Sequence, residues 1–151
     1  MAFADSRVTV DVVVLKATTA GAKTKSDFEI LLIERGHPPF AGSYALPGGF
    51  LDDTDESLER AGQRELMEET AGKVELKDLI NFGGYGDIGR DPRGRSVTVA
   101  FAVIIDKSQA SQAKAGDDAR QFAFFALDKL PDLAFDHARI ISDALKRLSI
   151  Q

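Results

Sequence analysis

Residues 45–72, "ALPGGFLDDTDESLERAGQRELMEETAG", join a glycine pair, an acidic loop and a cluster of glutamates. A helix is predicted to begin near Asp53–Asp55, where acidic and Thr side chains can cap it. It is predicted to end near Ala71–Gly72, because glycine commonly terminates helices. Within this helix, "RELMEE" (64–69) places three carboxylates in five positions. Since like charges repel at close range, the stretch requires a partner of opposite charge.

The three glutamates share one side of the predicted helix. With about 100° of rotation per residue, Glu69 falls at about +40° and Glu68 at about −60° from Glu65. Leu58 and Ala61 fall within about 40° of Glu65 on the same scale. An isolated "ELMEE" would suit a charged surface helix, but a solvated acidic face should lie opposite the apolar stripe. The shared face therefore favours a site for a hard divalent cation, which prefers carboxylate oxygens.

Composition restricts the class of protein. The chain has 151 residues, 44% of them apolar and 28% charged, which fits one domain with a single core. It contains no cysteine, so a disulfide framework and a Cys-based zinc site are excluded. The net charge of −5 argues against a partner that is a nucleic-acid polymer. No signal-peptide layout and no apolar run of roughly 20 residues is present, so we expect a cytoplasmic protein without a membrane partner.

The rest of the chain predicts a mixed α/β fold. A second helix is predicted at Asp136–Leu148, where Ile140, Ile141, Ala144 and Leu145 recur at helical spacing. Strands outnumber helices, and the helices lie mid-chain and at the end, so we expect an α+β mixed sheet covered by helices on both faces. Runs rich in β-branched and aromatic residues predict strands at 8–17, 28–35, 96–106 and 121–127, with shorter strands at 44–46 and within 74–87, and loops elsewhere.

The glutamate stretch resembles the Nudix box, G-x5-E-x7-R-E-U-x-E-E-x-G-U, in which U is a bulky aliphatic residue. Glu56 and the run 64–69 match this pattern in identity and mutual spacing. Six residues rather than five separate Gly49 from Glu56, and Gly72 follows the second glycine position by one. The segments "LLIERGHPPFAGSYALPGGF", "RDPRGRSVTVAF" and "LAFDHARII" are similar to the branch that includes ADP-ribose pyrophosphatases.

The resemblance implies a single Nudix domain over residues 1–151, folded as an α/β/α sandwich around a central mixed β-sheet. It implies hydrolysis of a nucleoside diphosphate linked to another group, such as ADP-ribose or a related sugar nucleotide, with Mg²⁺ or Mn²⁺. The carboxylates of Glu65, Glu68 and Glu69 and the carbonyl of Gly48 would bind the metal. Arg64 and Glu56 would form a structural ion pair. The partner would be a small-molecule nucleotide, and members of this branch are often homodimers.

Other residues have two interpretations each. Asp117 and Asp118 are candidates for the general base, because related proteins place a catalytic acid in this loop, but they also suit a turn beside Gly116. Arg90, Arg93 and Arg95 suit phosphate binding or a solvated basic loop. Further substrate-binding candidates are Arg35, Phe40 and Tyr44, although packing explains each aromatic ring equally well. His137 is expected to cap or pack at its helix start.

The sequence is also compatible with two other functions. One is a MutT-like hydrolase of (8-oxo-)dNTPs, since the substrate pocket is built outside the box. The other is a non-catalytic sensor of ADP-ribose-type ligands, which would regulate transcription through an attached DNA-binding domain. The complete set of box carboxylates, and the end of the chain at Gln151 without a following winged helix, favour the enzyme.

Overall fold

A computed structural model describes residues 5–70, 74–111 and 121–151. The described residues form seven strands, three α-helices and two short 3₁₀ turns. The strands are β1 (Arg7–Ala17), β2 (Phe28–Glu34), β3 (Tyr44–Ala45), β4 (Gly48–Phe50), β5 (Ile80–Tyr85), β6 (Ser96–Ile105) and β7 (Phe122–Ala126). The helices are α1 (Leu58–Thr70), α2 (Lys107–Ser111) and α3 (His137–Arg147). None of the described helices is long and apolar enough to cross a membrane.

The strands form one mixed sheet, as predicted. β1 and β6 run parallel, with Arg7–Lys16 paired to Ser96–Ile105. The other pairings are antiparallel, and they give the order β3-β2-β1-β6-β5, with β4 on β1 and β7 on β2. β6 lies between β1 and β5 and is largely buried, which confirms the prediction of a central strand.

The sheet is covered on both faces because β1 alternates two sets of buried side chains. Val12 and its neighbours on the same face pack against Ala61 and Leu66 of α1. Val13 and Leu15 pack against Ile140, Ile141, Ala144 and Leu145 of α3. The layers are therefore helix, sheet, helix, in agreement with the expected α/β/α sandwich.

The sheet forks beside β1. β1 pairs with β2 only through Leu15–Ala17, at the end of β1. Earlier in β1, where β2 has diverged from it, Thr9–Asp11 pair with β4 instead. β4 was not predicted, because its Gly-Gly pair is typical of a turn. The divergence of β2 from β1 opens the cavity described below.

Helix α1 begins later than predicted because the acidic loop has its own hydrogen bonds. Asp55 accepts a hydrogen bond from the Asp52 amide at 2.8 Å, and its own amide donates to the Asp52 carbonyl at 2.9 Å. The hydroxyl of Ser57 then caps the helix by accepting from the Arg60 amide at 3.0 Å. α2 was also not predicted, since residues 107–120 were interpreted as loop.

Candidate active site

A cavity of about 410 Å³ opens where the sheet forks. Its lining includes all three box glutamates, Glu65, Glu68 and Glu69, and the paired glycines of β4. Cationic and aromatic side chains complete the lining; they include Arg35, Arg90, Arg93, Phe50 and Phe135. The prediction that the glutamates face a cleft is consistent with this placement.

The two glycines of β4 leave room for different neighbours, Gly49 for Glu65 of α1 and Gly48 for the backbone of β1. A Cβ atom on Gly49 would lie 2.6 Å from the carboxylate carbon of Glu65. A Cβ atom on Gly48 would overlap the backbone carbonyl oxygen of Val10. Gly48 therefore excludes any side chain, whereas a side chain on Gly49 would have to displace the carboxylate of Glu65.

Gly48 also holds Glu69. The Val12 amide donates to the Pro47 carbonyl, and the Leu51 amide donates to the Val8 carbonyl, so Gly48 and Asp11 form a non-hydrogen-bonded pair of the β1–β4 ladder. The polar backbone groups of Gly48 consequently point away from β1. Its amide donates to Glu69 Oε2 at 3.2 Å.

Arg64 lies among the carboxylates and compensates their charge. Its Nε and Nη2 atoms donate to the two oxygens of Asp55, each at 2.8 Å. Its Nη1 atom lies 2.9 Å from Glu65 Oε1 and 3.3 Å from Glu68 Oε2. A further bond from Nη2 reaches the Phe50 carbonyl at 3.1 Å. The bond to Asp55 raises the pKa of Arg64, which keeps the guanidinium charged.

The predicted ion pair between Arg64 and Glu56 is wrong. Within the described residues Arg64 pairs with Asp55, whose side chain is only 4% exposed, whereas Glu56 is exposed. The extra residue in the acidic loop explains the change, because the acid separated from Gly49 by five residues is Asp55 and not Glu56. The bonds to Arg64 hold the pKa of Asp55 below its ordinary value.

The three glutamates differ in burial. Glu69 is buried, Glu65 is half-buried and Glu68 lies at the exposed rim. Burial raises the pKa of Glu65 above its ordinary value, although the adjacent Arg64 opposes the shift. Burial of the Glu65 carboxylate therefore disfavours its charged form, and an additional cation beside it would relieve this cost.

A divalent cation fits the chemistry of this donor set but not its present side-chain positions. Among the residues described, no three acidic or histidine side chains converge as a metal cluster. Glu65 and Glu68 face Arg64, and Glu69 accepts from Gly48. The donors are carboxylate oxygens, which suit a hard cation. To bind such a cation, the carboxylates of Glu65 and Glu68 would have to release the Nη1 atom of Arg64 and turn to the ion.

A buried Asp–His pair, which sequence reasoning did not identify, also lines the cavity. Asp11 Oδ2 accepts from the Thr98 hydroxyl at 2.6 Å and lies 3.7 Å from His137 Nε2. His137 Nδ1 accepts from the Leu46 amide at 3.0 Å, so its proton is on Nε2, facing Asp11. Burial alone would raise the pKa of Asp11, but His137, Thr98 and Arg90 together hold it below its ordinary value. A single acid inside the β-branched run "VTVDVVV" was the available signal.

The predicted substrate-binding residues separate into two groups. Arg35, Arg90 and Arg93 line the cavity, whereas Phe40, Tyr44 and Arg95 are absent from its described lining. Tyr44 packs edge-on against Phe125, with ring centroids 4.8 Å apart. Asp117 and Asp118 lie outside the described residues.

Arg90 has a structural role within this set. Its Nε and Nη2 atoms donate to the carboxylate of Asp136 at 2.9 and 2.7 Å, and its Nη1 atom donates to the Ser96 hydroxyl at 2.8 Å. Its side chain is only 5% exposed. Arg90 therefore fixes the start of α3 against β6, and Arg35 and Arg93 are the better placed cations for a ligand.

The chain belongs to the Nudix family, because the NUDIX domain model matches residues 5–144. It is 44% identical over 122 residues to an ADP-ribose pyrophosphatase of Methanocaldococcus jannaschii, covering 81% of this chain and 69% of that protein. Hydrolases of this family generally require a divalent metal ion.

The chain is also similar to a transcriptional repressor and to a solved NUDIX domain with bound ADP ribose. The chain is 36% identical over 127 residues to the ADPR responsive transcriptional repressor NtrR of Acinetobacter baylyi, covering 83% of this chain but only 50% of the repressor. The fold superposes with a TM-score of 0.82 on the NUDIX domain of Shewanella oneidensis NrtR, which was solved with ADP ribose. That match is at 31% identity and covers 97% of this chain and 90% of the other.

Replacing Asp55 should destabilise the protein, whereas replacing Glu56 should not. We expect Asp55→Asn to lower the free energy of unfolding by about 1–3 kcal/mol, since it removes the charged acceptor of Arg64. Glu56→Gln is the matched control and should change it by less than about 0.5 kcal/mol. Urea denaturation measures both. Equal effects of the two substitutions would contradict the assignment of Asp55.

The two glycines should respond differently to alanine. Gly48→Ala should lower the free energy of unfolding by about 1–3 kcal/mol, because its Cβ meets backbone. Gly49→Ala meets only the flexible carboxylate of Glu65, so the fold should persist while Glu65 is displaced. Thermal unfolding and turnover, measured on both variants, should give loss of stability for the first and loss of turnover for the second. Full turnover in Gly49→Ala would contradict the required placement of Glu65.

Proposed function

We propose that this protein is a Nudix pyrophosphohydrolase that cleaves the diphosphate bond of ADP-ribose or a related sugar nucleotide. The products are a nucleoside monophosphate and a sugar phosphate. The observation that carries the proposal is the lining of one cavity by the three box glutamates together with Arg35 and Arg93. The 44% identity to an ADP-ribose pyrophosphatase supports the substrate class.

The acidic side of the cavity is suited to the metal. Glu65, Glu68 and Glu69 supply carboxylate oxygens, and the Gly48 carbonyl lies on the same edge of β4 as the amide that holds Glu69. Mg²⁺ is the proposed ion, with Mn²⁺ as the alternative, because the proposed ligands are all oxygens. When bound, such an ion neutralises diphosphate charge and activates a water molecule.

The chain itself supplies the remaining chemistry. Arg35 and Arg93 bind the diphosphate oxygens, for which a guanidinium fork is suited. The Gly48 amide fixes Glu69 before substrate arrives, so only the carboxylates of Glu65 and Glu68 need to move when the ion binds. The proton of the attacking water passes to a box glutamate or to an acid of the 112–120 segment, where Asp117 and Asp118 stay candidates.

A second candidate function is ADP-ribose sensing without hydrolysis. It is favoured by one observation, the similarity to NtrR and to the ADP-ribose-bound NUDIX domain of NrtR. Intact box carboxylates around the cavity favour hydrolysis over sensing. Binding of ADP-ribose in Mg²⁺ without release of AMP would reverse this preference.

The MutT-like activity has no comparable support. The single domain over residues 1–151, the homodimer and the cytoplasmic location stay predictions.

Replacing Glu69 should abolish turnover without unfolding the protein. We expect Glu69→Gln to lower kcat for ADP-ribose by about 100-fold or more, because it removes a proposed metal ligand that is also a candidate general base. Glu59→Gln, on the same helix but outside the described cavity lining, is the matched control and should leave kcat unchanged.

AMP release with Mg²⁺, with Mn²⁺ and after EDTA treatment measures this effect and identifies the metal. The same assay should be run over ADP-ribose, NADH, sugar nucleotides and oxidised dNTPs. Near wild-type turnover of Glu69→Gln, or full activity in EDTA, would contradict the proposal.

A further inference from the structure

Arginine and phenylalanine side chains alternate along one part of the cavity. The guanidinium carbon of Arg7 lies 5.6 Å from the ring centroid of Phe50, and that of Arg93 lies 5.7 Å from the same centroid. Arg93 also lies 5.7 Å from the ring centroid of Phe135, and Arg35 lies 4.9 Å from it. We call these five residues the Arg–Phe ladder. Cations at such distances are attracted by the ring quadrupole.

The ladder connects parts of the chain that are far apart in sequence. Arg7 is on β1, Phe50 on β4, Arg93 in the loop before β6, Phe135 just before α3, and Arg35 just after β2. All but Arg7 line the cavity that contains the box glutamates. The ladder therefore places two cations, Arg35 and Arg93, against a single ring, that of Phe135.

Phe135 adopts a backbone conformation that is unusual for its residue type. Its φ angle is +53°, in the left-handed region that non-glycine residues rarely occupy. Phe40, which also has a positive φ of +62°, meets it edge-on with the ring centroids 5.0 Å apart. An aromatic residue kept in this conformation at a cavity points to a role for the ring, because glycine or asparagine would fit the backbone better.

Both cations are also held at a second point. Arg93 Nε and Nη2 donate to the carboxylate of Asp91 at 3.1 and 2.8 Å, which uses two of its five N–H groups. Arg35 Nε donates to the carbonyl of Pro39 at 2.7 Å. Each guanidinium is thus anchored at one edge by a hydrogen bond and also lies within cation–π distance of the Phe135 ring.

We propose that Phe135 is a positioning residue, whose ring holds the guanidiniums of Arg35 and Arg93 where they bind the diphosphate of the substrate. The inference rests on the proposed function and adds a residue that the Nudix box does not contain. Long arginine side chains lose much rotational freedom when they bind an anion. A ring that orders them beforehand removes part of this cost, and the gain appears as affinity for the substrate.

The test uses substitutions that separate the ring from the backbone. Phe135→Asn and Phe135→Gly both tolerate the left-handed conformation but remove the ring. We expect both to raise KM for ADP-ribose about tenfold, the combined scale of two exposed cation–π contacts. We expect kcat to stay within about twofold, because the arginines bind substrate and transition state alike. Phe135→Tyr keeps the ring and should restore the wild-type KM.

Phe82→Leu is the matched control, since Phe82 packs on Tyr85 away from the described cavity lining. It should leave KM and kcat unchanged. Thermal unfolding of every variant confirms that the folded protein is compared. A wild-type KM in Phe135→Asn or Phe135→Gly would overturn the inference, as would a fall in kcat at unchanged KM.

Calorimetric binding of ADP-ribose in EDTA separates this inference from the proposed function. A wild type that binds ADP-ribose but never cleaves it with metal contradicts the proposed function alone, and the inference then predicts about tenfold weaker binding by Phe135→Asn. A wild type that cleaves ADP-ribose, with equal affinity in Phe135→Asn, contradicts the inference alone.

Discussion

The arrangement of the site depends on the guanidinium of Arg64. Two carboxylates about 4 Å apart near a protein surface repel by about 4 kcal/mol. Glu65, Glu68 and Asp55 nevertheless lie around one point, because Arg64 donates to all three. Its bond to the Phe50 carbonyl links the same charge cluster to β4. This cation offsets the repulsion among the three carboxylates where α1 meets the sheet.

The same interaction prepares the site for a second cation. Asp55 takes two bonds of Arg64 and fixes its position, so only the Nη1 atom is directed at Glu65 and Glu68. The contact to Glu68 is long, at 3.3 Å, and Glu68 is half exposed, so exchange of this contact for a metal ion is inexpensive. Glu69 is held independently by Gly48. The structure thus combines a fixed acidic framework with two carboxylates that can change partner.

Local sequence patterns predicted the fold and the acidic face, because both depend on periodicity. The phase of Glu65, Glu68 and Glu69 follows from helix geometry, and the strand runs follow from β-branched residues. The partner of Arg64 was misassigned because the motif was matched by residue spacing along the chain. In the structure the acidic loop, which has one extra residue, places Asp55 at the guanidinium. β4 was missed because its glycines serve close approach to β1 and to Glu65 of α1 rather than a turn. The Asp11–His137 pair and the Arg–Phe ladder join residues far apart in the chain, which no local pattern reveals.

The most direct test of the central claim is a crystal structure of the protein soaked in Mn²⁺, with the ion located by anomalous scattering. We expect one or more manganese peaks bound by the carboxylates of Glu65, Glu68 and Glu69, with Arg64 still paired to Asp55 but separated from Glu68. An absence of any peak at the acidic face, with Glu65 and Glu68 still in contact with Arg64, would contradict the claim.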